Sequence, residues 1–133
     1  MTIRQRILDN IKATLDAIVG VDNVFVNKVQ PTDLDTCSFP SAFVFSDEES
    51  RTETPYGMET WNWNVVIEAW TKGDSEELLG QIHTAMAVDV TRGGICTDCL
   101  RAGVNFFVID ADNDVKGIVM RYLIQYRHPF GTP

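Results

Sequence analysis

The sequence predicts an α+β domain of two layers, with both helices packed on one face of a largely antiparallel or mixed sheet. Three observations lead there. Two segments carry apolar residues at helical spacing, and each stripe must be buried. Five segments alternate or run apolar with strong β-formers. Their order is α-β-β-β-α-β-β, and a chain of 133 residues suits one domain over 1–133.

The first helix is read over residues 3–19. Ile3, Ile7, Ile11, Leu15 and Ile18 recur every three or four positions, with Leu8 beside them. Thr2 stands where an N-cap belongs and Gly20 where a helix stops. Arg4, Arg6, Asp9, Lys12 and Asp16 fall on the opposite, polar face.

Then the period changes. "VFVNKVQ" (Val24–Gln30) reads as a strand, and "PTDLDTCSFP" as a loop with proline at each end. "SAFVFS" (Ser41–Ser46) is a second strand, and "DEESRTETPYG" (Asp47–Gly57) a polar stretch ending in turn residues. "METWNWNVVIEAWTK" (Met58–Lys72) alternates most clearly. Trp61, Trp63, Val65, Ile67 and Ala69 share one face, and Thr60, Asn62, Asn64, Val66, Glu68 and Trp70 the other.

Helical spacing returns in "GDSEELLGQIHTAMAVDV". Asp74 followed by Glu77 resembles a capping box, and Leu78, Leu79, Ile82, Ala85 and Met86 form the stripe. "DVTRGGICTDCLRAG" (Asp89–Gly103) is read as a connector. Two strands follow, Val104–Asp110 and Gly117–His128, joined by the turn "ADNDVK". Val66, Trp70, Val119 and Leu123 make the second sheet face only partly polar, which points to cover from another subunit.

The apolar share of 44% and charged share of 23% suit a packed core. A net charge of −8 disfavours nucleic-acid backbones and anionic lipids as partners. No apolar run approaches membrane-spanning length, and "MTIRQRILDN" lacks a signal peptide's apolar core. With three cysteines, a reduced intracellular setting is expected.

Cys96-x-x-Cys99 is the most chemical motif. A redox dithiol follows a strand and opens a helix, where one thiol gains a low pKa. Here the motif follows a helix and precedes a strand, and Asp98 and Arg101 roughly cancel. A structural zinc needs four ligands, but Cys37, His83 and His128 are not at ligand spacing from the pair. The third reading is free thiols acting as small apolar residues. Asp110, Asp112 and Asp114 alternate as in a calcium loop, yet Val115 and Arg121 occupy the positions where an EF-hand needs glycine and glutamate. Hairpin-turn chemistry explains them. Asp47, Glu48, Glu49, Arg51 and Glu53 form a charged stretch read as solvated, or as a docking surface reaching beyond the domain. There is no nucleophile elbow, phosphate loop or HExxH, and Gly93-Gly94 is too isolated to cradle a nucleotide. Composition and spacing therefore favour assembly or binding over catalysis, with no catalytic, cofactor or metal residues assigned.

The layout resembles the tail terminator (tail completion, or minor tail) proteins of long-tailed bacteriophages. The likeness covers nearly the whole chain. It runs from the N-terminal helix and "GVDNVFVN" through "FPSAFVFSDEE", "WNWNVVIEAW", "DSEELLGQIHTAM" and "DVTRGG" to "RYLIQYRHP". Element order and length carry it, and CxxC is a departure from the family pattern. The resemblance implies a virion protein of the tail or neck, made in the host bacterial cytoplasm, with no enzyme activity and no cofactor. It implies a homo-oligomeric ring, usually a hexamer, that caps the head-proximal end of the tail tube and ends its polymerisation. The implied partners are the tail tube protein and a head connector or neck protein, for head-tail joining, with DNA passing the lumen without specific binding. Other readings stay open: another neck component (a head-closure or tail-to-head joining protein), a zinc-stabilised interaction module, or a small enzyme using the aromatic sheet face.

Overall fold

The computed structural model describes residues 2–20, 23–27, 39–52 and 58–129. Helix α1 spans Ile3–Val19 and helix α2 spans Ser75–Ala87. The strands are β1 (Val24–Val26), β2 (Ser41–Thr52), β3 (Met58–Thr71), β4 (Asp98–Asp110) and β5 (Val115–Pro129). They form one sheet in the order β1-β2-β3-β5-β4, with β1 parallel to β2 and the other pairs antiparallel. The α+β class, the element order and the mixed sheet are as the sequence predicts.

Both helices begin on the expected residues. Thr2 accepts from the Gln5 amide at 3.1 Å while the Gln5 side chain accepts from the Thr2 amide at 2.9 Å, so two orphan donors of the first turn are satisfied. Asp74 accepts from Glu76 and Glu77, and Glu76 and Glu77 place negative charge at the positive end of the helix dipole. At the end of α1, Gly20 turns the chain with φ 100, a conformation a side chain would oppose.

The core lies between the helices and one sheet face. Ile7, Ile11 and Leu15 of α1 and Ile82 of α2 are fully buried against Val65 and Ile67 of β3 and Ile118, Met120 and Ile124 of β5. Burying each such side chain contributes about 1.5–3 kcal/mol. The register accounts for the shared face, because Ile67 lies opposite Met120, Val65 opposite Tyr122 and Trp63 opposite Ile124.

Several boundaries differ from the sequence reading. The first strand stops at Val26, where Asn27 adopts φ 53 and its side chain accepts from the Ser46 amide; residues 28–30 lie outside the described residues. The second strand continues past Ser46 to Thr52, because β3 supplies partners for the polar stretch out to Thr60. The fourth strand begins at Asp98, not Val104. A bulge between Arg101 and Gly103 breaks the alternation that would have revealed its first half.

The face away from the helices carries Trp70 and Leu123, as read. Trp70 is buried within the chain. Its ring lies 4.9 Å from that of Phe43, which stacks on Phe25 at 5.4 Å, and its indole N–H donates to Glu68. Apolar exposure on this face is concentrated at the cross-strand pair Leu100 and Leu123.

Candidate functional site

The charged docking stretch was expected to lie in water between two strands. The structure places Asp47, Glu48, Glu49 and Arg51 within β2; Glu53 lies outside the described residues. A bulge sets their directions. Ser46 pairs with Val65 and Glu49 with Trp63, so two residues of β2 oppose one of β3. Beyond the bulge the odd-numbered residues of β2 face the helices. Glu49 therefore points inward. Its carboxylate accepts the Tyr126 hydroxyl at 2.7 Å and pairs with the Arg4 guanidinium of α1 at 3.2 Å. Arg4 also lies over the Trp63 ring at 4.9 Å, and Trp63 meets Tyr126 edge-on. Burial, and then the Glu49 carboxylate, hold the Tyr126 hydroxyl well above its ordinary pKa. Glu49 is thus a structural anchor and not a free docking charge. Arg51, on the same side, lies 4.0 Å from Glu59, while Asp47 is exposed at the bulge.

Cys96 lies in the loop before β4 and Cys99 is its second residue; both are free and buried. Burial, then the neighbouring thiol, pushes Cys96 up to about 12, and burial pushes Cys99 up to about 11. Arg92 acts in the opposite sense and does not offset the burial. The Cys96 thiol donates to the Val90 carbonyl at 3.5 Å. Two buried thiols with raised pKa suit packing, and they lack the thiolate character a redox pair needs. Cys37 lies outside the described residues. Among the described residues, no three His, Cys, Asp or Glu side chains gather as metal ligands would. His83 is half-buried on α2.

The connector after α2 is built by two side chains. Asp89 accepts from the Thr91 amide at 2.9 Å, the Thr91 hydroxyl at 2.6 Å and the Gly93 amide at 2.7 Å. These hydrogen bonds, the Thr91 hydroxyl first, lower its pKa. The Thr91 hydroxyl also accepts from Gly94, and its carbonyl accepts from Ile95 and Cys96. Arg92, Gly93 and Gly94 all have positive φ, at 50, 75 and 81. That turn drives Arg92 into the protein, where it is 1% exposed. Its guanidinium donates to the carbonyls of Met86, at 2.5 Å, and Asp89. Helix α2 has no basic residue in its last turn, and Arg92 brings a cation to that negative end from beyond it. Sequence reasoning missed this residue. A basic side chain just past a helix end was the available signal.

The acidic run at the β4–β5 turn is held by its own chain. Asp110 accepts from the amides of Asp112 and Asn113 and from the Asn113 side chain, and Asp114 pairs with Lys116 at 3.4 Å. These are the contacts of a hairpin turn.

No family model matches the sequence, and no curated protein matches it. Among solved structures, the chain is similar to one described as "Virion of native gene transfer agent (GTA) particle". The identity is 10%, the match covers 96% of this chain and 92% of that chain, and the TM-score is 0.45.

Proposed function

We propose that this chain is a structural virion protein that caps the head-proximal end of a phage tail tube as a ring. It ends tube polymerisation and presents a surface for joining the head. What supports the reading is the resemblance in element order together with the two-layer arrangement that resemblance implies, with both helices on one sheet face. The residues described above supply anchors, caps and turns, and the role they suit is assembly. The mechanism is geometric. One face of the ring matches the last ring of the tube, and the other accepts no further tube subunit. Heterologous contacts that close on themselves give such a cap. The net charge of −8 suits a lumen that DNA slides through, because carboxylates and phosphates repel.

The docking element is the far end of the β2–β3 pair, including Arg51 and residues 53–57, and not Glu49. The test adds purified chain to polymerising tail tubes and images them by electron microscopy. An extra ring at one end, with growth blocked there, is expected. Tubes that grow unaffected and carry no ring would overturn the proposal, and binding to head connectors alone would favour another neck component. A chain lacking residues 53–57 should remain folded and fail to cap.

A further inference from the structure

Strand β4 closes one edge of the sheet. One side of its backbone pairs with β5, and among the described residues no strand lies on the other. Edge strands are usually blunted by short length, proline, lysine, inward charge or bulges. This one runs for 13 residues as "DCLRAGVNFFVID", without proline or lysine. Two bulges, at Arg101/Gly103 and Val108/Asp110, bracket a regular stretch from Gly103 to Val108. Within it Phe106 is 48% and Val108 66% exposed. Both border a depression of about 190 Å³ lined also by Ser75, Phe107, Lys116 and Gly117. An unpaired backbone beside a shallow apolar recess is the arrangement used when a strand is added to a sheet.

We propose that the occupant is β4 of a second copy of this chain, paired antiparallel about a two-fold axis at Phe106. The strand is self-complementary in that register. Val104, Phe106 and Val108 share one face, so Val104 meets the copy's Val108 and Phe106 meets Phe106, at both halves of the contact. Charge fixes the direction. Asp98 and Arg101 lie near one end of β4 and roughly cancel, whereas Asp110, Asp112 and Asp114 lie at the other. Antiparallel pairing sets this balanced end, with its Arg101, against the acidic turn of the partner, whereas parallel pairing would set the two acidic turns side by side. This contact is isologous. It does not depend on the tail-capping proposal and would exist in solution without a tube.

The test is sedimentation velocity of the full chain over a concentration series from low micromolar to several hundred micromolar. A reversible dimer is expected. Phe106→Lys, which sets lysine against lysine at the axis, should raise the dissociation constant at least about tenfold with unchanged circular dichroism. Arg101→Asp and Asp112→Arg should each weaken the dimer, and the double variant should restore it. A wild-type chain that stays monomeric throughout would overturn the proposal, since the edge would then serve a different partner or none. So would an oligomer whose affinity is unmoved by Phe106→Lys. If Phe106→Lys fails to fold, the charge-swap pair decides: no rescue in the double variant rejects the contact.

Discussion

The Tyr126 hydroxyl and the Glu49 carboxylate meet at 2.7 Å across β3, joining β5 to the far half of β2. Neither residue is at a strand end, and their sequence separation is 77. The contact ties the outer part of the β2–β3 hairpin to the body, since Glu49 also holds Arg4 of α1. Tyr126→Phe keeps the ring and its edge contact with Trp63 but removes the donor. A hydrogen bond to a charged acceptor in a half-buried site is worth about 1.5 kcal/mol. Urea unfolding should show that loss, with the midpoint moved and the slope unchanged. A Tyr126→Phe chain as stable as the parent would mean that water replaces the hydroxyl at no cost.

Glu49 also shows where sequence reading reaches its limit. Period-2 alternation found β3 because its fully buried residues Trp63, Val65, Ile67 and Ala69 lie on one face. The same alternation carried past Ser46 would put Glu48 and Ser50 toward the helices. The bulge reverses this, and nothing in "SDEES" announces it. The first half of β4 was hidden for the same reason, by the extra residue at Ala102. Helix α1 was legible to the residue, because a 3.6 period, a cap and a glycine stop all agree locally, whereas α2 was legible in its stripe and its Asp74 start but had no glycine to mark its end. Arg92 was not legible, since its burial depends on a left-handed turn and on carbonyls six and three residues away.

Arg92 gives the second prediction. Its guanidinium satisfies two carbonyls at the end of α2 from a site that is 1% exposed. Arg92→Ala takes the side-chain donor from the buried Met86 carbonyl, while the Asp89 carbonyl keeps the Arg92 backbone amide, and it opens a cavity beside Met86. The expected cost is roughly 3 kcal/mol. Arg92→Lys should recover only part of this, because one ammonium can replace Nη2 at the carbonyls but not also Nη1, which reaches the Thr14 hydroxyl at 3.4 Å and the Met86 sulfur at 3.3 Å. Thermal melts of the two variants check the order. Equal stabilities would mean that charge alone matters at this helix end.

The thiols predict an alkaline limit. In the unfolded chain they ionise near 9, and in the folded protein Cys99 is pushed up to about 11 and Cys96 to about 12. Below pH 9 both states hold the protons and stability is unaffected. Above it the unfolded chain loses protons that the folded protein keeps, so stability falls with rising pH until the folded values are reached. Tyr122, also raised to about 12 chiefly by burial, adds to the same trend from pH 10 upward. Unfolding free energies between pH 8 and about pH 11 should therefore decline, and a Cys96→Ala/Cys99→Ala chain should decline less. Identical slopes would show that the thiols reach solvent in the native state.

The last prediction concerns Gly117, which lies opposite Phe107 on β5 and β4. A Cβ built there would sit 2.3 Å from Cζ of the Phe107 ring, so the ring occupies the space that any side chain would need. This is an aromatic residue covering a strand glycine, a device that fills the gap left by the missing side chain. Gly117→Ala must displace the ring, and overpacking of this kind costs about 1–2 kcal/mol. Replacing Phe107 with alanine removes the obstacle along with its packing. In the Phe107→Ala background, Gly117→Ala should therefore be neutral or stabilising, because alanine is the better strand residue. The double-mutant cycle should give a coupling of about 1 kcal/mol or more. A coupling near zero would mean that the ring turns aside freely and that Gly117 is glycine for some other reason.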